Sequence, residues 1–374
     1  MGEINRELIL DCLSKLDKIT EDDWGDILDR YELDYSTSHI RKLSYGFRAY
    51  RDVMTDDDTE EFIKLKKEKI KLQDIRTEAN KQLRNLARME SVNEMFVNEI
   101  NKLATKKPMI NDKLNIKDTP SGKDGILMLG DIHDYLIINN ALNQYNHEIC
   151  VERLNKVVDG VISKGLKENI DKLHIVGLGD YISGEIHRSL TLCNQEEITS
   201  QIIGTSELLS QVVSRLSEYF YCTVTMTIGN HDSCEANKND RLNRHNYTKL
   251  IKEFVRIRVK DLSNVAFLDN TINDDEIGIL KVRNLNCVCC HGDKIARPKV
   301  KEQLEMATGL DLNLIMYGHY HNPQYYTLYD THVYVNSSLC GSDEFSSNHK
   351  LFSEWSQTMI IVSDEGIECS YLIK

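Results

Sequence analysis

Several things are scarce or missing in this chain of 374 residues. No apolar run approaches the roughly 20 residues of a membrane span, which excludes a transmembrane helix. The first residues, Met-Gly-Glu-Ile-Asn-Arg-Glu, lack a basic region followed by an apolar core, so no secretory leader is expected. Positive charge is in deficit: 46 Lys and Arg face 59 Asp and Glu, a net charge of −13. That argues against coating nucleic acid through bulk charge, though a local basic face stays open. The ten cysteines lack the regular spacing of a disulfide scaffold. Cys12, Cys222 and Cys369 lie in apolar runs, as small buried hydrophobes do, and a reduced cytoplasmic setting is expected. No internal repeat or low-complexity tract is present. With 41% apolar and 28% charged residues, what remains is a globular chain long enough for two or three domains.

Proline is rare as well, and two of the four, Pro108 and Pro120, fall in one polar stretch. This predicts a linker over 108–122. Before it, residues 1–58 predict a helical module. Leu8, Ile9, Leu13 and Leu16 recur at helical spacing, Thr20 is the expected cap of a second helix, and Ser36 that of a third. The third helix carries Arg41, Lys42, Arg48 and Arg51. Three short helices with a basic third one are helix-turn-helix-like, a pattern shared by modules that bind DNA and modules that bind only protein. Residues 59–107 predict one long basic amphipathic helix. Leu65, Leu72, Ile75, Ala79, Leu86, Met89, Phe96, Ile100 and Leu103 share a heptad seam. A coiled coil, hence a homodimer, and a helix lying on its own protein both fit. Nine Lys or Arg against three acids lie between Lys64 and Arg88, a stripe that suits phosphates or solvent.

From residue 123 to 374 strands and helices alternate, and the later half is richer in hairpins. Helices are expected at 148–164, 195–218 and 245–260. Polar residues of a restricted kind stand just past successive strands. Asp131 and His133 follow Ile126–Leu129. Asp180 follows Leu173–Leu178. Asn230, His231 and Asp232 follow Thr223–Ile228. His291 follows Cys287–Cys290, and His319 and His321 follow Leu314–Tyr317. In open α/β sheets, ligands bind at the carboxyl ends of strands. The one-residue gaps in Asp131/His133 and His319/His321 put both side chains on one side of an extended segment. Carboxylate, imidazole and amide donors without an evident cysteine suit Mn²⁺, Fe²⁺ or Zn²⁺. Seven candidate ligands, Asp131, His133, Asp180, Asn230, His291, His319 and His321, exceed what one small ion takes. They fit two ions sharing a carboxylate.

The ordered blocks Asp131-x-His133, Gly179-Asp180, Gly229-Asn230-His231-Asp232, His291 and Gly318-His319-x-His321 resemble the calcineurin-like metallophosphoesterase superfamily over about residues 124–345. The resemblance implies a four-layer α/β/β/α sandwich, here preceded by a helical N-terminal region. It implies one divalent ion on Asp131, His133, Asp180 and His321 and a second on Asp180, Asn230, His291 and His319. Mn²⁺ is the first expectation, with Fe²⁺, Zn²⁺ or Mg²⁺ also acceptable. His231 is then the catalytic imidazole and Asp232 its support, in hydrolysis by metal-activated hydroxide. There are departures: Tyr135 stands where many members have Gly, and the second block reads Gly-Asp-Tyr-Ile-Ser. Both weaken a protein-phosphatase reading.

Within the superfamily the chain resembles the nuclease branch, the double-strand-break repair exonucleases, and phosphoesterases of bacteriophages of Gram-positive hosts. Residues 179–187 and 335–342 carry that likeness, which implies a host cytoplasm. His187, Ser337 and Ser338 then become candidate substrate contacts. Three functional readings follow: a DNA phosphodiesterase, a phosphodiesterase or phosphatase for nucleotides or another small ester, and a metal-site protein without turnover. Asp134 is either a support beside the site or a cap, and Asp293 a candidate partner for a ligand histidine. Cys287, Cys289 and Cys290 are expected in the core, and His147 and His174 fit no motif.

Overall fold

The computed structural model describes residues 5–52, 63–64, 66–80, 83, 109, 120–186, 188–343 and 352–374. The chain divides into two compact units, Met1–Ser91 and Val92–Lys374. Among the described residues no helix is long and apolar enough to cross a membrane.

In the first unit, Arg6–Leu16 (α1), Trp24–Arg30 (α2) and Thr37–Arg51 (α3) enclose a small core of Cys12, Ile27, Leu28 and Ile40. Ser36 caps α3, its hydroxyl accepting the His39 N–H at 3.2 Å. The cap of α2 is Asp23, not Thr20. Asp23 Oδ1 accepts the Gly25 and Asp26 N–H groups, and Asp26 returns a bond to the Asp23 N–H, a closed capping box. Thr20 is left accepting the Asp22 N–H in the preceding turn. On α3, Arg48 and Arg51 are drawn to Asp17, while Arg41 and Lys42 are exposed. Residues 66–80 are helical (α4) and leave Ile70, Leu72 and Ile75 exposed. The seam residues Leu65, Leu86, Met89, Phe96, Ile100 and Leu103 lie outside the described residues, as does most of 108–119.

The second unit begins with Lys123–Leu129 (β1), the short pair Ile138–Asn139 (β2) and Gln144–Tyr145 (β3), and helix His147–Glu168 (α5). Lys172–Gly177 (β4), Arg188–Cys193 (α6), Ile198–Ser217 (α7), Tyr221–Met226 (β5), Thr248–Val259 (α8) and Val265–Phe267 (β6) follow. The later half runs Thr271–Ile272 (β7), Ile277–Val282 (β8), Leu285–Cys290 (β9), Val300–Thr308 (α9), Leu314–Tyr317 (β10), Gln324–Leu328 (β11) and Thr331–Val335 (β12). Gln357–Ser363 (β13) and Gly366–Ile373 (β14) come last. The helix expected at 195–218 is α7, starting three residues later than expected, and α6 is a separate short helix before it. Glu197 sets that start by accepting the Thr199 and Ser200 N–H groups as the cap of α7.

Two six-stranded sheets form, in the orders β14-β13-β1-β4-β5-β6 and β11-β12-β10-β9-β8-β7. Period-two alternation sorts their side chains. Ile126 and Met128 of β1 face the second sheet, where Cys287, Cys289, Leu314 and Met316 meet them. Leu127 and Leu129 face the other way, onto α5 and α7 residues such as Leu154, Val157, Ile202 and Leu209. On the far side of the second sheet, Val288, Ile315 and Val333 pack with Val300 and Leu304 of α9. The result is the α/β/β/α layering. Each fully buried Leu, Ile or Val in these layers contributes about 1.5–3 kcal/mol relative to exposure. The three cysteines of β9 are all buried. β1, β4 and β5 are mutually parallel, as are β9, β10 and β12, so their carboxyl ends gather their loops along one edge of each sheet.

Candidate metal centre

The strand-end loops meet at Asp180. Its carboxylate is buried, with Oδ1 accepting the His231 N–H at 2.7 Å. Oδ2 stands 3.2 Å from His291 Nε2 and 3.8 Å from His133 Nε2. Burial by itself raises this carboxyl, but His291, His231 and His133 outweigh it and hold Asp180 well below the usual carboxylate range.

Two clusters flank it. On one side, His133 Nε2 lies 3.2 Å from His321 Nε2, and His321 Nε2 lies 3.5 Å from Asp131 Oδ1. On the other, His291 Nε2 lies 2.9 Å from Asn230 Oδ1 and 3.2 Å from His319 Nδ1. His291 Nδ1 donates to the Leu178 carbonyl at 2.8 Å, which turns its Nε2 inward; Asp293, the partner suggested by the sequence, is not what orients it. Burial pulls His291 down, yet Asp180 raises it to about 10.

The backbone corrects the picture of extended segments. Asp131, His133, Asp180, His319 and His321 have φ of 49°, 49°, 53°, 68° and 55°, all left-handed. Side chains one residue apart therefore converge because the loop coils, not because a strand alternates. For residues with a Cβ this conformation costs about 1–2 kcal/mol each. Backbone bonds hold it: Asp131 N–H donates to Gly179 O, His133 N–H to Asp180 O, and His319 N–H to Asp131 Oδ2. Gly229 is needed for close approach, since a Cβ there would collide with Asp180 N and Oδ1.

Asp232 also departs from expectation. Its Oδ1 accepts the Tyr181 and Ile182 N–H groups at 3.0 and 3.2 Å, and its Oδ2 the Thr248 hydroxyl at 2.9 Å. The ring of His231 is fixed by the Ser183 carbonyl, 3.0 Å from Nδ1. Asp232 therefore staples the Asp180 loop from below and is not the bond that orients the imidazole. Burial and the neighbouring Asp180 push its pKa up to about 7, against the pull of the Ile182 and Thr248 bonds. The His231 ring stands edge-on to His133, centroids 4.5 Å apart.

Ser337 and Ser338 are brought close but turned inward. Both are fully buried, Ser337 Oγ donating to His321 O and Glu354 O, and Ser338 Oγ to Gly341 O. Their hydroxyls are committed to carbonyls of their own and neighbouring loops. His187 lies outside the described residues. Sequence reading missed the place of Cys340 and the cleft beside Asn230, and left Asp134 between a support and a cap. Cys340 places Sγ within 4.8 Å of ring nitrogens of His133 and His321. Asp134 bonds His147 Nδ1 at 2.8 Å and the Thr205 hydroxyl at 2.9 Å, with Tyr135 stacked on His147 at 4.3 Å. A cleft of about 150 Å³ opens beside Asn230 and His291, with Arg241, Asn243, Lys294 and Gln303 on its walls.

These residues fit a pair of divalent ions. Asp131 Oδ1 is buried without a hydrogen-bond donor. Imidazole nitrogens, an amide oxygen and carboxylates converge at 2.9–3.8 Å from one another. Ligands about 2.1 Å from a common ion stand roughly 3.0–3.4 Å apart.

The family model for calcineurin-like phosphoesterases matches residues 125–323. Among known proteins, the chain is similar to the SPbeta prophage-derived uncharacterized protein YonJ of Bacillus subtilis (strain 168). The two are 23% identical over 297 residues, spanning 76% of this chain and 72% of that protein. Among solved structures, an archaeal phosphodiesterase matches 67% of this chain and 99% of its own, at 15% identity and a TM-score of 0.35. Vacuolar protein sorting 29 of Cryptosporidium parvum matches 65% and 87%, at 12% identity and a TM-score of 0.31.

Proposed function

This chain belongs to the calcineurin-like phosphoesterases, metal-dependent phosphoester hydrolases, and on that premise we propose that it is a two-metal phosphodiesterase acting on DNA. The observation that carries the two-metal assignment is the convergence of two half-shells on Asp180 Oδ2. Asp131, His133 and His321 would hold one divalent ion, Asn230, His291 and His319 the other, with Asp180 available to both. When bound, such ions lower the pKa of water and neutralise phosphoryl oxygens, with Mn²⁺ the first candidate.

The protein's own groups do the rest. The Ser183 carbonyl keeps a proton on His231 Nδ1, so Nε2 is where this ring takes up or delivers one. In that position His231 protonates the leaving oxygen or bonds the scissile phosphate. Asp232 and Gly229 hold the loop that presents it. With a net charge of −13, attraction to DNA has to be local. Exposed Arg41 and Lys42 on α3 and Lys66, Lys67, Lys71 and Arg76 on α4 supply such a face. Exposed Leu72 and Ile75 on the α4 heptad seam support a homodimer through 59–107. A second reading, a nucleotide or other small phosphoester, is favoured by the cleft beside Asn230, which has room for one small organic group.

The test uses the full chain with Mn²⁺ on single- and double-stranded DNA, bis-p-nitrophenyl phosphate and p-nitrophenyl phosphate. DNA and diester cleavage are expected, with the double variant Arg41→Glu/Lys42→Glu losing DNA cleavage and keeping the small diester. Turnover of the monoester alone overturns the diesterase reading. Diester turnover without DNA cleavage selects the small-ester reading.

A further inference from the structure

The two half-shells differ in one donor. Cys340 is fully buried, and its Sγ lies within 4.8 Å of ring nitrogens of both His133 and His321. The same half holds the buried Asp131 Oδ1 that has no hydrogen-bond donor, 3.5 Å from His321 Nε2. A thiol, two imidazoles and an unpartnered carboxylate oxygen thus crowd one small volume. The described ligand cluster on the Asn230 side, Asp180, His291 and His319, contains no sulfur.

The cysteine is held there by construction. Arg153, only 8% exposed, donates from one terminal nitrogen to the Leu339 and Cys340 carbonyls, both at 2.8 Å. Its other terminal nitrogen bonds Asn143 Oδ1 at 2.9 Å and Gln144 O at 3.1 Å. Asn143 Nδ2 adds a bond to Cys340 O at 2.7 Å. The guanidinium sits between the rings of Tyr145 and Trp355, 5.1 and 5.2 Å from their centroids. Leu339 N–H donates to Asp131 O at 2.9 Å, tying this loop to the first ligand loop. Burying a guanidinium is costly unless its donors are satisfied, and here they are satisfied by fixing the backbone on both sides of the thiol.

We infer that Cys340 Sγ is a ligand of the ion held by Asp131, His133 and His321, making this half of the centre thiophilic while the Asn230 half remains a site of oxygen and nitrogen donors. Soft thiolate donors select Zn²⁺, Fe²⁺ or the probe ion Cd²⁺ over Mn²⁺, so the two positions take different ions from a mixture. As the ion binds, the Sγ–H bond is exchanged for an Sγ–metal bond and the proton passes to solvent. This inference rests on the two-metal reading above.

Titration of the metal-free full chain with Co²⁺ tests it without reference to turnover. Visible ligand-field bands report cobalt in the centre, and a near-ultraviolet sulfur-to-cobalt charge-transfer band reports a thiolate on it. The wild type is expected to show both. Cys340→Ser, nearly isosteric, is expected to keep the ligand-field bands and lose the charge-transfer band. Its preference for Cd²⁺ over Mn²⁺ in competition should fall by about 10–100-fold, the scale on which lost support weakens metal sites. Ligand-field bands without a charge-transfer band in the wild type overturn the inference and leave the two-metal reading standing. A charge-transfer band that survives in Cys340→Ser also overturns it, assigning the sulfur elsewhere. Failure to bind cobalt at all overturns both.

Discussion

The two halves of the candidate centre are built from similar side chains but face different surroundings. The half around Asp131, His133 and His321 is walled by the buried loop 337–342, with Arg153 behind it. The half around Asn230, His291 and His319 opens onto the cleft bordered by Arg241 and Lys294. A buried wall on one side and a cleft on the other suggest a division of labour. Under the proposed reading, the half behind loop 337–342 would secure an ion, and the half beside the cleft would admit the part of the substrate that differs between phosphoesters. Asp180 is common to both, and His231 stands beside His133 at their junction.

That comparison can be broken at several points. The largest effect is expected at Asp180, where the halves share an atom. Asp180→Asn should reduce metal content from two ions per chain to below one, by elemental analysis, and cut diester turnover by more than about 100-fold. Retention of two ions would show that the halves do not depend on a common carboxylate. Next in size is His231→Ala, which removes a proton-carrying group and no proposed ligand. Both ions should stay while kcat falls by about 10²–10⁴-fold; loss of an ion would make His231 a ligand and redraw the boundary between the halves.

Arg241→Ala probes the open half alone. A rise in KM of about tenfold with unchanged kcat and metal content is expected, the scale of one charge-assisted hydrogen bond. An unchanged KM for DNA and for small diesters alike would mean the cleft takes no part in binding. The smallest effect lies behind the closed half. The Asp134 bond raises the pKa of His147, against partial burial. A raised folded-state value stabilises the fold below the unfolded value of about 6.5, and that gain disappears as pH rises through the folded value. The stability difference between wild type and His147→Gln, read from melting temperatures, should therefore be larger at pH 6 than at pH 8, and below about 1 kcal/mol at its maximum. A difference that grows with pH would contradict the Asp134 pairing.

Much of the fold could be read along the chain because burial is periodic. Ile126 and Met128 alternate with Leu127 and Leu129 across a strand buried on both faces, and such runs are hard to mistake once several recur. Where the signal is weaker, sequence reading slipped. β11, Gln-Tyr-Tyr-Thr-Leu, is an edge strand with alternating partial exposure, and its composition alone does not separate it from a loop. Asp23 displaced Thr20 as a cap because both lie within one polar run and only the closed box with Asp26 distinguishes them.

In the centre, the ligand-type residues stood out because Asp, Asn and His rarely end five apolar strands of one chain by accident. Their partners did not. Asp232 is next to His231 in sequence, yet its carboxylate turns to Tyr181, Ile182 and Thr248, while Ser183, 48 residues away, holds the imidazole. Cys340 is 207 positions from His133 and carries no local motif; the loop anchored on Arg153 is what makes it a neighbour.

The sequence by itself determined the element types, the layered α/β class and the kinds of donors offered at each strand end. Those follow from short-range periodicity and from which side chains exist at which positions. Only the tertiary structure decided which hydroxyls and carboxylates are already committed to the backbone, where Cys340 stands, and which side of the centre meets a cleft. Those depend on left-handed loop turns and on contacts between residues distant along the chain, and neither leaves a mark on local sequence pattern.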